Sequence, residues 1–129
     1  MTAVNPSFYS HTLNGTWKGR TDGGNPAVQR WHQRIITVNL LKETMPVAPS
    51  GQKSIALIGF ACDEGVLRNG GRLGAKDGPL CFRQACGNLP VHFDEEIQFI
   101  DFGDIICETE AMEEAQAELA KVVDRAISG

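Results

Sequence analysis

Two short apolar runs in the second half of the chain are each followed by a segment with helical periodicity. Residues 55–61 (IALIGFA) are apolar almost without interruption, which is typical of a parallel strand covered on both faces. Residues 97–102 (IQFIDF) form a second such run. The order strand–helix–strand–helix predicts an α/β fold with a parallel sheet and right-handed crossovers.

Both predicted helices have an apolar face and recognisable ends. The first begins at Gly78-Pro79, where a proline costs no helical hydrogen bond, and it ends in residues 87–90 (GNLP). Thr109 is predicted to cap the second helix. The apolar positions of the first helix are Phe82, Ala85, Cys86 and Leu89, and those of the second are Met112, Ala115, Leu119, Val122, Val123 and Ala126.

The composition changes near Gln52, which divides the chain into an N-terminal arm, residues 1–52, and an α/β part, residues 53–129. The arm is rich in Pro, Gly, Asn, Ser and Thr, and only residues 30–41 (RWHQRIITVNLL) are apolar enough to form an element. The apolar pattern of these residues is equally compatible with a helix and with a strand. Trp17 and Trp31 are predicted to pin the arm onto the rest of the molecule.

Two strands are too few for a stable parallel sheet, because each strand is apolar on both sides. A single strand–helix–strand–helix unit leaves one face and one edge uncovered unless the arm or another chain covers them. The pattern therefore predicts the beginning of a larger three-layer α/β/α domain, of which this chain supplies the first two strands and helices.

Length and charge narrow the class of protein. The 129 residues suit one modest domain, and the formal net charge of −4 argues against a nucleic-acid partner. No apolar stretch reaches the ~18 residues of a membrane span, and the N-terminus does not resemble a signal peptide. We therefore expect a cytoplasmic protein without a membrane partner, whose four cysteines are reduced core residues.

The loop after the first predicted strand, residues 62–77, is the candidate ligand site. Open α/β folds bind ligands at the carboxyl ends of their strands. Arg68, Asn69 and Arg72 are the candidate binding residues, since a guanidinium offers forked donors to a carboxylate or phosphate. The alternative is that the arginines pair with the loop's own acids and hold it closed.

Other chemistry is less well supported. Residues 69–74 (NGGRLG) miss the dinucleotide-binding fingerprint and lie too far from the strand end. Asp101 and Asp104 are expected to end the second strand as turn-forming and helix-capping acids rather than to bind metal. Packing explains Cys62 better than a reactive thiol does. No histidine lies at metal-ligand spacing, so no catalytic or metal residue is predicted.

The glycine- and arginine-rich segment resembles the first loop of the ureohydrolase (arginase–agmatinase) superfamily. Residues 59–65 (GFACDEG), 68–75 (RNGGRLGA) and Gly78-Pro79 carry the likeness, together with Arg83. Residues 101–104 (DFGD) match the family's motif at the end of its second strand. The form of these motifs is most similar to formimidoylglutamase. In the arm, residues 17–22 (WKGRTD) and 30–32 (RWH) are similar to that enzyme's N-terminal region.

The resemblance implies a hydrolase that converts N-formimidoyl-L-glutamate and water to L-glutamate and formamide. In that family two manganese ions activate the attacking hydroxide. Their ligands come from later motifs (Gly-Gly-Gly-His, Asp-Ala-His-x-Asp and Ser-x-Asp-x-Asp), which this sequence lacks. The chain is thus expected to be an N-terminal portion that binds no metal and is inactive alone.

Other functions stay open at the level of the sequence. One is an arginase- or agmatinase-type fragment that acts on another linear amidine. A second is a non-catalytic α/β module whose loop binds an anionic metabolite. A third is an interaction fragment that forms a homo-oligomer through an exposed sheet edge.

Overall fold

The computed structural model describes residues 3–43 and 52–128. Four strands and four α-helices make up its regular structure, joined by loops and short 3₁₀ turns. In chain order they are β1 (Tyr9–Ser10), α1 (Trp31–Arg34), β2 (Ile36–Thr37), β3 (Ser54–Cys62), α2 (Glu64–Arg68), α3 (Gly78–Cys86), β4 (Gln98–Cys107) and α4 (Met112–Ser128).

β4 is the central strand of a four-stranded mixed sheet. On one side it pairs in parallel with β3 along almost its whole length. On the other side it pairs in parallel with β2 and antiparallel with β1, both of which come from the arm. The predicted α/β class and the parallel β3–β4 pair are confirmed, while the short arm strands make the sheet mixed rather than purely parallel.

β4 is longer than the sequence predicted, and the expectation that Asp101 and Asp104 end it was wrong. The strand continues to Cys107 with a bulge, since Leu57 pairs with Asp101 and Gly59 with Asp104. Gly103 adopts φ +83°, a conformation that favours glycine, and a side chain there would lie 2.6 Å from the Ser10 carbonyl oxygen. The bulge lets the strand absorb one extra residue and resume pairing.

The main core lies between the sheet and α4. Ala115 and Val122 of α4 are buried against one face of β4. Thr109 does not cap this helix, because its hydroxyl accepts from the Ala111 N–H while the helix begins at Met112. The predicted apolar stripe is otherwise confirmed, apart from Val123, which is exposed.

The opposite face of the sheet carries α3, which begins at Gly78 as predicted. Its apolar positions do not form a core within the described residues, because Phe82, Ala85 and Leu89 are exposed. The buried residue of α3 is instead Arg83, which is 2% exposed. With α4 on one face and α3 on the other, the chain has three layers.

The arm is packed onto the sheet as predicted. Trp31 lies with its ring centroid 5.0 Å from that of Phe99, and Trp17 contacts the same ring edge-on at 6.5 Å. The ambiguous segment contains both kinds of element, the single helical turn α1 followed by β2. The buried Tyr9 hydroxyl donates to the Phe102 carbonyl and accepts from the Leu40 N–H, which ties β1 to the centre of the sheet.

Candidate functional site

The carboxyl ends of β3 and β4 lie side by side, and the segments that follow them form the candidate site. The predicted long loop after β3 is partly helical, since it contains α2 and a 3₁₀ turn, Ala75–Asp77. Asp63 closes the loop, because its Oδ1 accepts from the backbone N–H groups of Lys76 at 2.9 Å and Gly74 at 3.2 Å. The Lys76 N–H bond is the main reason that the pKa of Asp63 lies below its ordinary value.

The three predicted binding residues lie within five positions of the loop but differ in their contacts. Arg68 points to α4, where it forms an ion pair with Glu113 and donates to the Glu110 carbonyl at 2.9 Å. Its Nε also lies 3.7 Å from Glu64. Asn69 and Arg72 are exposed. Arg68 is thus paired within the chain, but its shorter contact is to Glu113 on α4 rather than to the loop's own acid Glu64.

Among the described residues, two clefts at this end of the sheet are lined mainly by acidic charged side chains. The larger, of about 420 Å³, lies between the β3 and β4 ends and is lined by the charged residues Asp63, Lys76, Asp77 and Glu108. The smaller, of about 290 Å³, extends toward α4. Binding clefts are commonly about 300–1,000 Å³, so the larger has the size for a metabolite. Neither cleft is lined by Arg68, Asn69 or Arg72.

A buried ionic network lies behind the site, where α3 crosses β4. The Asp101 carboxylate is completely buried and accepts from Arg83 Nε at 2.8 Å and Arg83 Nη2 at 2.9 Å. The Trp17 indole N–H and the Thr12 hydroxyl, both from the arm, donate to the same carboxylate at 2.8 Å. Arg83 Nη1 also donates to Asp104 at 2.8 Å.

The environment moves the pKa values of the two acids in opposite directions. Burial favours the neutral form of Asp101, but the donors from Arg83, Trp17 and Gly103 outweigh it and lower its pKa. Burial dominates at Asp104, where the single bond from Arg83 does not compensate, so its pKa is raised. The network therefore favours the charged form of Asp101 more than that of Asp104, although Arg83 contacts both.

The sequence predicted no role for this network. The available signal was Asp101 itself, a charge inside the apolar run IQFIDF, because a buried charge requires a partner. The partner was hidden because Arg83 lies 18 residues away on another element. The network links α3, β4 and the arm through ion pairs and hydrogen bonds, and none of these contacts would itself carry out a reaction.

The described residues hold no group of three or more His, Cys, Asp or Glu side chains that converges on a metal position. His32 makes a structural contact, its Nε2 lying 2.9 Å from the Arg20 carbonyl oxygen. The donor set of this part of the chain does not fit a pair of manganese ions. Across residues 3–43 and 52–128, no helix has the length and apolar character needed to cross a membrane.

No family model matches the chain. It is similar to curated formimidoylglutamases from several bacteria. It is 46% identical to that of Lysinibacillus sphaericus over 117 residues, which cover 90% of this chain and 35% of that protein. The identity to the Clostridium tetani protein is 42%, with 87% and 33% coverage, and to the Vibrio cholerae protein 39%, with 96% and 34% coverage.

The chain thus spans about a third of the length of the curated relatives that it matches. Its mixed sheet with helices on both faces is consistent with the arginase-like fold that the resemblance implied. The resemblance to formimidoylglutamase is confirmed, and the match covers about a third of each of these formimidoylglutamases, which is consistent with the predicted N-terminal portion.

Proposed function

We propose that this chain is the part of a formimidoylglutamase that contributes β3, its loop and α3 to the active enzyme. The whole enzyme would hydrolyse N-formimidoyl-L-glutamate to L-glutamate and formamide in the cytoplasm. The observation that supports this proposal is the 39–46% identity to proteins of that name over most of the chain.

In this proposal the metal-dependent chemistry belongs to the rest of the enzyme. Two manganese ions would supply the hydroxide, held by residues outside this chain. This chain would contribute the shape and charge of one wall of the active site, at the carboxyl ends of β3 and β4. We therefore expect the 129 residues alone to show no turnover.

Arg68, Asn69 and Arg72 are proposed to line the substrate side of that wall, with Arg72 facing the carboxylates of formimidoylglutamate. Arg72 is exposed, so its guanidinium is available to a ligand. Arg68 is held by Glu113, so it would act mainly by fixing the start of the loop. The acidic clefts beside the loop carry the opposite charge and would suit the cationic amidine end of the same substrate.

A chimera tests the proposal directly. This chain would replace the matching third of the Lysinibacillus sphaericus formimidoylglutamase, to which it is 46% identical. The expected result is manganese-dependent release of glutamate from N-formimidoyl-L-glutamate. The controls are the remaining two thirds of that protein alone and the 129-residue chain alone, both of which should be inactive.

A folded chimera without this activity would contradict the proposal. Activity on arginine or agmatine instead would favour the arginase- or agmatinase-type alternative. The Arg72→Met variant of an active chimera should raise KM for the substrate more than it lowers kcat, because Arg72 is proposed to bind carboxylates. Lys18→Met, an exposed cation of the arm, is the matched control and should leave both constants unchanged.

A further inference from the structure

Cys62 and Cys107 occupy paired positions at the carboxyl ends of β3 and β4. They are direct partners in the parallel register, as the last residues of the two strands. Both side chains belong to the core cluster on the α4 face of the sheet. The two thiols therefore project from neighbouring strands in the same direction.

The spacing of the strands suits a covalent link between these residues. Neighbouring strands lie about 4.7–4.9 Å apart, which is within the range of about 4.4–6.8 Å that Cα atoms span in disulfides. Burial is the main cause of the raised pKa of the Cys107 thiol, and the adjacent Cys62 thiol contributes to it. The Cys62 thiol is therefore close enough to Cys107 to influence it.

The pair also has a route to solvent. Cys107 lines both acidic clefts, although it is only 6% exposed. Its thiol donates to the Thr109 carbonyl at 3.0 Å, in the loop that leads to α4. Cys62 directly precedes Asp63, which closes the loop after β3. A small reagent in either cleft would meet Cys107 first, with Cys62 beside it.

We propose that Cys62 and Cys107 form a reversible dithiol–disulfide site at the base of the two loops. A peroxide is the oxidant: the Cys107 thiol loses its proton, its sulfur attacks one peroxide oxygen, and the O–O bond breaks to give a sulfenic acid and a hydroxide, which takes up that proton to form water. The Cys62 sulfur then attacks the sulfenic sulfur, makes the S–S bond and displaces hydroxide, which takes up the proton of the Cys62 thiol to form the second water. Two thiols and one hydrogen peroxide thus give one disulfide and two waters.

The other two cysteines supply an internal comparison. Cys81 and Cys86 lie on α3, exposed and half-buried respectively. They lie in a separate element from the paired thiols, so the geometry assigns the disulfide to Cys62 and Cys107 alone.

The test is to map the disulfide in the oxidised chain. The folded 129-residue chain is treated with hydrogen peroxide, free thiols are blocked with N-ethylmaleimide, and the protein is digested without reductant. Trypsin alone would leave Cys86 and Cys107 in one peptide, residues 84–121, so a glutamate-specific protease is added to separate them. We expect a cross-linked peptide pair that contains Cys62 and Cys107 and is lost on treatment with dithiothreitol.

Cysteine-to-serine variants test which thiols form the cross-link. The Cys81→Ser/Cys86→Ser double variant should keep the cross-link, whereas Cys107→Ser should abolish it. Phenylarsine oxide, which bridges two nearby thiols, should bind the double variant at one per chain. Circular dichroism before oxidation establishes that each protein is folded, and mapping of the unmodified chain is decisive even if a variant does not fold.

A cross-link to Cys81 or Cys86, a link between two chains, or separate labelling of both thiols in the folded, oxidised chain would overturn the proposal. The readout is thiol chemistry, so it does not depend on the proposed hydrolase activity.

Discussion

At the scale of single residues, Arg83 is the side chain on which the arrangement around β4 depends most. It neutralises a completely buried carboxylate, Asp101, and contacts Asp104 and the Gly103 carbonyl as well. Burying such a pair in place of apolar residues is not in itself stabilising, but removing one member leaves an uncompensated charge. The energetic cost of losing Arg83 therefore comes mainly from leaving the Asp101 carboxylate buried without a counterion, and less from the hydrogen bonds that Arg83 makes.

We expect Arg83→Met to lower the free energy of unfolding by about 3–5 kcal/mol, because Asp101 would remain buried without its counterion. Urea denaturation followed by circular dichroism measures the change. Arg68→Met is the matched control, since its ion pair with Glu113 is exposed and its loss should leave stability close to that of the unmodified chain. Equal effects of the two substitutions would contradict the assigned role of Arg83.

Gly59 provides a second prediction at this scale. A Cβ at this position would lie 1.9 Å from Asp104 Oδ1 and 2.8 Å from Pro79 Cβ. Gly59→Ala should therefore force β3 and α3 apart and cost about 1–3 kcal/mol, as overpacking typically does. Gly78→Ala is the control: Gly78 has helical φ −55° and open space around it, so its replacement should be neutral or stabilising. Thermal melts of both variants compare the effects.

At the scale of elements, the exposed edge of β3 lies next to the apolar side of α3. Within residues 3–43 and 52–128, β3 pairs only with β4. Ile55 on β3 and Phe82 on α3 are 43% and 47% exposed. A groove of about 210 Å³ lies between β3 and α3, and its lining includes Leu57, Ile58 and Phe82. Such an edge is a template for pairing with another strand.

We expect the isolated chain to self-associate through this edge, because no other described strand pairs with its backbone N–H and C=O groups, which lie beside apolar side chains. Ile55→Lys should shift the chain toward monomer in sedimentation velocity runs, since a charge on an edge strand opposes pairing. Val28→Lys is the control, as Val28 is similarly exposed at 41% but lies in a 3₁₀ turn of the arm. A strict monomer at all concentrations would refute the expectation.

At the scale of the whole molecule, the arm is integrated with the α/β part at several points. It supplies β1 and β2 to the sheet, two donors to Asp101, and the Asn5 N–H to the buried Glu118 on α4. Burial would raise the pKa of Glu118, but the bonds from Lys121 and Asn5 lower it overall. Glu118 therefore links the arm to α4, and Asp101 links it to β4 and, through Arg83, to α3.

This coupling predicts a fall in stability at acid pH. Asp101 and Glu118 have pKa values below their ordinary 3.8 and 4.5, so the stability they contribute is present above those values and lost as the pH falls through the folded-state pKa. Asp104 has the opposite sign, because its raised pKa gives stability below 3.8 that is lost as the pH rises through its folded-state pKa.

Urea midpoints measured between pH 7 and pH 3 check this prediction. Glu118→Gln should flatten the decline in stability, and Asp104→Asn should steepen it, since the opposing contribution is removed. Asp124→Asn, at an exposed position of α4, should leave the slope unchanged. A slope that is the same in all four proteins would argue against these assignments.

The sequence by itself determined the α/β class, the two long strands, the start of α3 and the formimidoylglutamase resemblance. These features depend on local order: the uninterrupted apolar runs, helical spacing, and the glycine and proline positions of residues 59–79. The extension of β4 was missed because it depends on the conformation of Gly103 and on a partner for Asp101, neither of which is local.

Only the tertiary structure decided which polar side chains meet. It brought Arg83 to Asp101, turned Arg68 toward Glu113 and away from the clefts, and aligned Cys62 with Cys107 through the strand register. Each of these pairs joins residues distant in the chain, so its existence depends on how strands and helices pack rather than on the residues themselves. The sequence identified the candidate loop. Tertiary packing decided which residues pair with the charged side chains of that loop.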